Sequence, residues 1–202
     1  MTIRLTPRRA LLTGAAVALL ALAGCGGADH GSTGAGHGTA TATASPSAGA
    51  VFNDADVAFA QHMIVHHRQA VEMAGLAPER AASAAVKKLA ADIEAAQAPE
   101  ISTMTGWLGT WGATVPEAGH DSGHETMPGM MSDADMTALA AAKGAAFDER
   151  FLTMMIAHHE GAITMAGEVA AKGSDPAAKA LAATIVTDQQ AEIAEMRALL
   201  AK

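Results

Sequence analysis

The sequence "FLTMMIAHHEGAITMAG", residues 151–167, places two adjacent histidines among three methionines in a stretch with little charge. The same pattern stands 92 residues earlier as "FAQHMIVHHRQAVEMAG", residues 59–75, with Phe, Met-Ile, His-His, Ala and Met-Ala-Gly in equivalent places. Good helix formers dominate both stretches and β-branched runs are absent, so each stretch predicts a helix. The unusual segment is therefore a repeated helix.

A second pair of segments keeps the same offset of 92 residues. "LAADIEAAQAPEISTMTGWL", residues 89–108, aligns without a gap to "LAATIVTDQQAEIAEMRALL", residues 181–200. This constant offset predicts a duplicated helical hairpin, with repeat halves of about 52–111 and 133–202. Because short connections place neighbouring helices antiparallel, we expect the two hairpins to dock as an all-α four-helix bundle.

Residues with capping side chains predict where the helices begin. Asn53 or Asp54 can cap the first helix, Ser132 the third and Ser174 the last. Gly144 is expected to interrupt the third helix. The bundle should therefore contain four main helical segments.

Two prolines affect the second helix. Pro78 is expected at its start, with the helix reaching about Gly109. Pro99 lies inside it, where the second copy has Ala191. A proline in a helix interior predicts a kink and a lost hydrogen bond, here near Ala95.

The N-terminus has the features of an export signal. Within residues 1–24, three arginines precede an apolar run, residues 10–23, that is too short for a stable membrane span. The run leads into "LAGC", which resembles the lipobox of bacterial lipoproteins and predicts lipidation of Cys25. An ordinary secretory signal is the alternative, and both Sec and twin-arginine export stay open.

The rest of the chain divides by composition. Residues 25–50, rich in Gly, Ala, Ser and Thr, predict a flexible tether, and residues 51–202 have the size of one domain. Removal of the signal peptide leaves 10 basic residues against 21 acidic ones, a net charge of −11 with neutral histidines. Such a charge opposes nucleic-acid binding. The single cysteine excludes intrachain disulfides, thiolate zinc sites and thiol catalysis, so metal chemistry falls to His, Met and carboxylates.

One face of the repeated helix collects Phe, His, Met and a small Ala at helical spacing. This face must be buried, and an unpartnered polar group in a core costs about 1 to 3 kcal/mol. The second helix of each hairpin offers polar partners at spacings that bring them together. Residues expected to hydrogen-bond to metal ligands are His62, Gln97, Glu100, Gln189 and Glu192.

Two buried histidines that recur beside methionines exceed what packing requires, so His66 and His158 are expected to bind a metal. His67 and His159 lie nearer the edge of the face, where an indirect or interfacial role is the alternative. Methionines at core spacing pack as readily as they ligate. For four of them both roles stay open: Met73, Met104, Met165 and Met196.

The donor atoms favour copper. Thioethers are poor ligands for calcium, magnesium or ferric iron but good ones for Cu(I), and imidazole accepts either oxidation state of copper. A ferritin-like di-iron site would need a Glu-x-x-His pair from each half, and neither copy has one.

The linker at residues 115–132 is a separate set of metal-binding side chains. It is long for a bundle connection, and long loops are often functional or disordered. Loose copper capture and a plain surface linker both fit its composition. The capture candidates are His120, His124, Met127, Met130 and Met131, with Met136 following in the next helix.

The repeated Phe-x-x-x-Met-Ile-x-His-His-x-x-Ala-x-x-Met-Ala pattern, together with "QAPEISTM", "QQAEIAEM" and "MPGMMS", resembles the family called domain of unknown function 305 (DUF305). The resemblance covers about residues 52–202. It implies an exported, ferritin-like four-helix bundle that binds copper, or silver as its mimic, through Met and His. The ligands that it implies are Met63, His66, His67, Met73, Met104, Met155, His158, His159, Met165 and Met196.

The leading hypothesis is a non-enzymatic lipoprotein that binds Cu(I) for buffering, resistance or trafficking, without an organic cofactor. It would act on the outer face of the cytoplasmic membrane or in the periplasm, with a second copy or a copper-exchanging protein as candidate partner. The alternatives are a metal-dependent redox enzyme and a structural or partner-binding bundle without metal. No nucleophile with its base and no phosphate loop is visible, so hydrolase and nucleotide-dependent roles lack support.

Overall fold

The computed structural model describes residues 51–117 and 127–202. Every secondary-structure element named in these segments is a helix. The all-α prediction is confirmed. The predicted signal peptide, Cys25 and the tether lie outside the described residues, as do His120 and His124. The described segments form α1 (Asp54–Gly75), α2 (Ala77–Arg80), α3 (Ala84–Trp111), α4 (Asp133–Ala141), α5 (Ala145–Lys172) and α6 (Pro176–Leu200).

Side-chain caps begin most of these helices, as the sequence predicts. Asn53 caps α1 and Ser132 caps α4, each within a reciprocal capping box, and Ser83 caps α3. The prediction for the last helix was wrong by one residue. Asp175, and not Ser174, caps α6, because the Asp175 carboxylate accepts hydrogen bonds from the first free amides of that helix.

The connection between the first two long helices also differs from the prediction. Pro78 does not start a long helix; it lies in the four-residue α2, and α3 begins only at Ala84. The equivalent position in the second copy is Ala170, and there α5 continues unbroken to Lys172. Because proline has no N–H and crowds the preceding turn, Pro78 ends the helical run that its alanine counterpart continues.

Pro99 lies inside a continuous helix, and the kink that the sequence predicts there stays a prediction. The helix α3 runs from Ala84 to Trp111 without a break, although the Pro99 nitrogen can donate no hydrogen bond. Glu100 still reaches a histidine of α1, and Met104 is fully buried. The exchange of alanine for proline therefore leaves the binding face of α3 in place.

The four long helices pack as two hairpins. The helix α1 packs mainly against α3 and α5, and α5 against α6. Equivalent aspartates join the two hairpins at their ends: Asp56 accepts hydrogen bonds from the backbone amides of residues 174–175, and Asp148 from those of residues 82–83, at 2.9 to 3.1 Å. Both sides of this pair are offset by 92 residues, so the contacts repeat the duplication of the sequence.

The buried apolar side chains form two clusters with a polar layer between them. Along α1, residues up to Ile64 belong to the Phe59 cluster and residues from Ala70 onward to the Phe151 cluster. Along α5 the order is reversed, because α1 and α5 run antiparallel. None of the helices in the described segments is both long and apolar enough to span a membrane.

Candidate metal centre

Four histidines form the polar layer between the two apolar clusters. His66 and His67 come from the middle of α1, and His158 and His159 from the middle of α5. All four are fully buried. The rings of His66 and His158 lie 3.7 Å apart between centroids, tilted by 37°, and the His158 and His159 centroids are 6.4 Å apart. The two repeated His-His pairs therefore meet in the middle of the molecule.

A carboxylate fixes the tautomer of the outer histidine in each pair. His67 Nε2 lies 2.7 Å from Glu100 Oε2, and His159 Nε2 lies 2.6 Å from Glu192 Oε2. An ionised carboxylate only accepts hydrogen bonds, so each Nε2 carries a hydrogen, and in the neutral form of the ring Nδ1 then holds the lone pair. Both Nδ1 atoms are buried without a hydrogen-bond partner. This is the arrangement in which a second ring nitrogen is held ready for a metal.

His66 and His158, the inner histidine of each His-His pair, also have ring nitrogens without hydrogen-bond partners. His66 Nε2 donates to the Pro128 carbonyl at 3.1 Å, which again leaves a buried Nδ1 without a partner. His158 has no hydrogen-bond partner at either ring nitrogen among the described residues. Five buried imidazole nitrogens are thus unpartnered in one layer.

The surroundings keep the inner histidines neutral. Burial, followed by repulsion from His67, lowers the pKa of His66 to about 3. Burial, followed by repulsion from His66 and the other two histidines, lowers the pKa of His158 well below its ordinary value. Neutral imidazole is the form that binds metals. Both rings are therefore in the ligand form at any pH near neutrality.

Two buried glutamines belong to the same layer. Gln97 of α3 and Gln189 of α6 occupy equivalent places, and they are 2% and 3% exposed. Both side-chain polar atoms of Gln97 and the carbonyl oxygen of Gln189 lack partners among the described residues. They add to the unsatisfied polar atoms of the layer. The sequence predicted that they would hydrogen-bond to the histidines, and the described residues show no such bond.

The candidate methionine ligands divide evenly between the two sides of the histidine layer. The position of a methionine along its helix decides which cluster it joins. Because α1 and α5 are antiparallel, methionines early in α1 lie beside methionines late in α5. The Phe59 cluster holds Met63, Met104 and Met165. The Phe151 cluster holds Met73, Met155 and Met196, together with Met136 and Met154.

The segment Met127–Met131 crosses α1 and α5 beside the histidine layer. Gln69 holds it with two hydrogen bonds of 2.8 Å, to the backbone oxygen and nitrogen of Met131. On α5 the equivalent residue is Gly161, where a Cβ atom would lie 2.0 Å from the Pro128 carbonyl oxygen. Gly129 has a φ of 77°, and a Cβ atom there would lie 2.6 Å from the Ala157 carbonyl oxygen of α5. The first copy of the repeat therefore hydrogen-bonds to the segment through Gln69, and the second copy allows its close approach because Gly161 has no side chain.

Sequence reasoning missed this segment as part of the site. The signal was present, because position 69 and position 161 are the same place in the repeat and carry glutamine and glycine. Of the loop residues predicted to capture metal, Met127, Met130 and Met131 are half-buried. His62, expected to assist the ligands, is exposed and lines a surface groove.

The histidines and carboxylates of the layer are not arranged to bind a metal ion by themselves. Across the part of the chain that the structure describes, no group of three or more His, Cys, Asp or Glu side chains is arranged to hold an ion. A bound metal would therefore draw on thioethers beside the imidazoles, or on rotation of the neighbouring His66 and His158 rings. That donor chemistry fits copper and silver better than hard cations.

Comparison with known proteins agrees with the sequence motifs. The profile of the family described as domain of unknown function (DUF305) matches residues 56–200. None of the curated proteins matches the chain significantly.

Several solved structures resemble the chain in three dimensions. A DUF305 protein from Streptomyces coelicolor, described as secreted, is 36% identical, with a TM-score of 0.67 over 73% of this chain and 92% of that one. A DUF305 fragment from Deinococcus radiodurans is 34% identical, with a TM-score of 0.68 over 74% and 97%. The protein CopM, solved in Cu(I)-bound, Cu(II)-bound and silver-bound forms, is 32% identical; the Cu(I) form has a TM-score of 0.60 over 71% and 94%. The chain belongs to the DUF305 family.

Proposed function

We propose that this protein binds Cu(I) in the histidine layer and carries or buffers it outside the cytoplasm. The observation that supports this most directly is the set of unpartnered Nδ1 atoms on four buried rings, of which the lowered pKa values keep His66 and His158 neutral. Three of the four rings use Nε2 on an oxygen, of Glu100, Glu192 or Pro128, and so present a lone pair at Nδ1. Leaving such atoms unsatisfied costs about 1 to 3 kcal/mol each, which a bound ion would recover.

The choice of metal follows from the donors. Imidazole nitrogens flanked on both sides by methionine sulfurs suit a soft ion such as Cu(I). CopM, a structural relative, has been solved with Cu(I), Cu(II) and silver bound. The proposed ligands are the four histidines with methionines from the two flanking clusters: Met63, His66, His67, Met73, Met104, Met155, His158, His159, Met165 and Met196.

Burial favours a carrier over the alternatives. A structural bundle would let the histidines satisfy one another, but the ring nitrogens of the layer are left over. A redox enzyme must bring substrate to its metal, whereas all four rings are inaccessible to solvent. Storage and hand-over need only occasional access.

The proposed location rests on the N-terminal sequence. A lipid on Cys25 would hold the protein at the membrane surface, with residues 25–50 as a tether for the domain. The description of the Streptomyces relative as secreted is consistent with a place outside the cytoplasm. The physiological partner would then be the copper ion and a protein that delivers or accepts it.

Anaerobic Cu(I) titration against a competing chelator tests the proposal. All samples should carry Cys25→Ser, since a free thiol would itself bind Cu(I), and should be kept in mild detergent. The variant His66→Ala/His158→Ala should lose affinity by about 100-fold or more, because loss of a mere outer partner of a ligand costs roughly 10 to 100-fold. Met136→Leu, a buried methionine outside the proposed ligand set, is the matched control and should leave affinity unchanged.

Weak binding that is the same in the His66→Ala/His158→Ala variant and the wild type would overturn the proposal. Circular dichroism of each variant must show retained helix, so that lost binding is not lost folding. With the helices intact, unchanged binding would leave the histidines with a purely structural role.

A further inference from the structure

A groove of about 300 Å³ opens at the surface between α1, α5 and the Met127–Met131 segment. His62, Met127 and Met165 line it. We propose that this groove is a second, outer binding site for Cu(I), with these three side chains as ligands. The groove site is independent of the proposed function. The passage of the ion from the groove to the histidine layer rests on the proposed function.

His62 differs from the histidines of the layer. It is exposed, whereas the other four histidines in the described segments are fully buried. It makes no hydrogen bond with the described residues, so both ring nitrogens are available to an ion in the groove. An exposed imidazole exchanges ligands quickly with an incoming donor, as a first contact point requires.

Two thioethers complete the donor set. Met127 from the linker and Met165 from α5 line the same cavity as His62. One nitrogen and two sulfurs are donors for Cu(I) or Ag(I) and poor donors for calcium or magnesium. Glu168 and Lys172 also line the groove; the Glu168 carboxylate lies 3.4 Å from the Lys172 ammonium and offsets its charge, with both groups exposed. The negative net charge of the chain further favours cation approach.

The groove adjoins the buried centre at three points. His62 and His66 are one turn apart on α1, so their Cβ atoms lie about 5 to 6 Å apart. Pro128 lines the groove, and its carbonyl accepts the hydrogen bond from His66 Nε2. Met165 lines the groove and also belongs to the cluster of Met63. The outer donors therefore adjoin the inner ones through α1, the Pro128 carbonyl and Met165.

The duplication shows that this site is peculiar to one half. The counterpart of His62 in the second copy is Met154, which is buried in the Phe151 cluster. The linker passes the bundle once, so its methionine can complete only one groove. An exposed histidine at this position supplies a ligand that a surface site needs. Packing does not explain the histidine, because its side chain is exposed whereas Met154 is buried.

Passage inward would be a ligand exchange. The Cu–N bond to His62 and the Cu–S bond to Met127 break as bonds form to His66 Nδ1 and an inner donor, while Met165, a proposed ligand of both sites, stays bound. The ion stays Cu(I), and no proton moves because His66 Nδ1 already carries a lone pair.

Silver titration with methionine-methyl NMR tests the groove. The full chain carrying Cys25→Ser, labelled with carbon-13 at the methionine methyls, is titrated with silver nitrate in chloride-free buffer. Ag(I) is the probe because it is diamagnetic and does not change oxidation state. We expect the Met127 and Met165 signals to shift, and His62→Ala to weaken the Met127 response by roughly tenfold or more. Met130→Leu, in the same segment but outside the groove lining, should leave that response intact.

The outcomes separate the groove from the buried centre. If Met63 and Met155 respond but Met127 does not, the groove proposal is overturned and the proposed function stands. If Met127 responds in a His62-dependent way while Met63 and Met155 stay unmoved, the groove site is supported and the buried centre fails. A Met127 shift that is identical in His62→Ala would mean that the linker captures silver alone, which also overturns the groove site.

Discussion

The metal-free protein should lose stability as the pH falls below about 6.5, because two of its buried histidines cannot take up a proton without unfolding. An unfolded histidine titrates near its ordinary pKa of about 6.5. In the folded protein the pKa of His66 is lowered to about 3, and that of His158 well below its ordinary value. A group whose pKa is depressed on folding favours the unfolded state once the pH drops below the unfolded value.

The size of the effect follows from proton linkage. As the pH falls from about 7.5 to about 5.5, the proton uptake of each such histidine on unfolding rises from about 0.1 to about 0.9, and the integrated cost is about 1.4 kcal/mol. His66 and His158 together should therefore lower the free energy of unfolding by about 2 to 3 kcal/mol over this interval. That is a large share of the roughly 5 to 15 kcal/mol that stabilises a typical domain.

Urea denaturation followed by circular dichroism, with a chelator present, measures this loss. The comparison variant is His66→Gln/His158→Gln, since glutamine can still donate to Pro128 but does not titrate in this range. The difference between wild type and variant isolates the two histidines from all other titrating groups. Were the two proteins to lose stability in parallel, to within about 0.5 kcal/mol, the burial of neutral imidazole would not be the cause.

Two further predictions concern backbone positions. Pro99→Ala should raise the free energy of unfolding by about 1 to 3 kcal/mol, measured by urea denaturation, because alanine restores a helix hydrogen bond; no change or a loss would mean that α3 is already adapted to proline. Gly161→Ala should destabilise by about 1 to 3 kcal/mol, since its Cβ would meet the Pro128 carbonyl oxygen. Its control is Gly167→Ala on the same helix, where no atom lies within 4 Å and the exchange should stabilise by up to about 1 kcal/mol. Equal effects at the two glycines would contradict the close approach of the linker.

The duplication made the fold predictable. A buried face repeated at one offset in two pairs of segments specifies two equivalent hairpins, whatever the loops do. The same logic pointed to Glu100 and Glu192 as partners of the histidines, and the structure pairs them with His67 and His159. Where the copies differ by a proline, at position 78, the repeat misled, because local backbone chemistry decides where a helix stops.

Helical periodicity could not reveal how the methionines are distributed. Met63 and Met73 share one face of α1, but ten residues of helix separate them by about 15 Å. One ion cannot contact both, so as proposed ligands they would serve different ions on the two sides of the histidine layer. Only the antiparallel packing of α5 shows that Met63 joins Met165 while Met73 joins Met155. An angle around the axis predicts burial, whereas the neighbours at a given height depend on the tertiary arrangement.

The differences between the two copies carry the functional asymmetry. Equivalent residues build the buried centre from both halves, which gives it two matching sets of donors. Position 69 is glutamine where position 161 is glycine, and position 62 is histidine where position 154 is methionine. The first difference fixes the linker against the layer, and the second exposes an imidazole beside that linker. A symmetric bundle could hold an ion but would have no preferred side for its arrival. Positions 62 and 69 are seven residues apart on α1 and so share the helix face along which the linker runs. The proposed pairing of a symmetric buried centre with a single outer groove would therefore follow from the positions at which the repeat is broken.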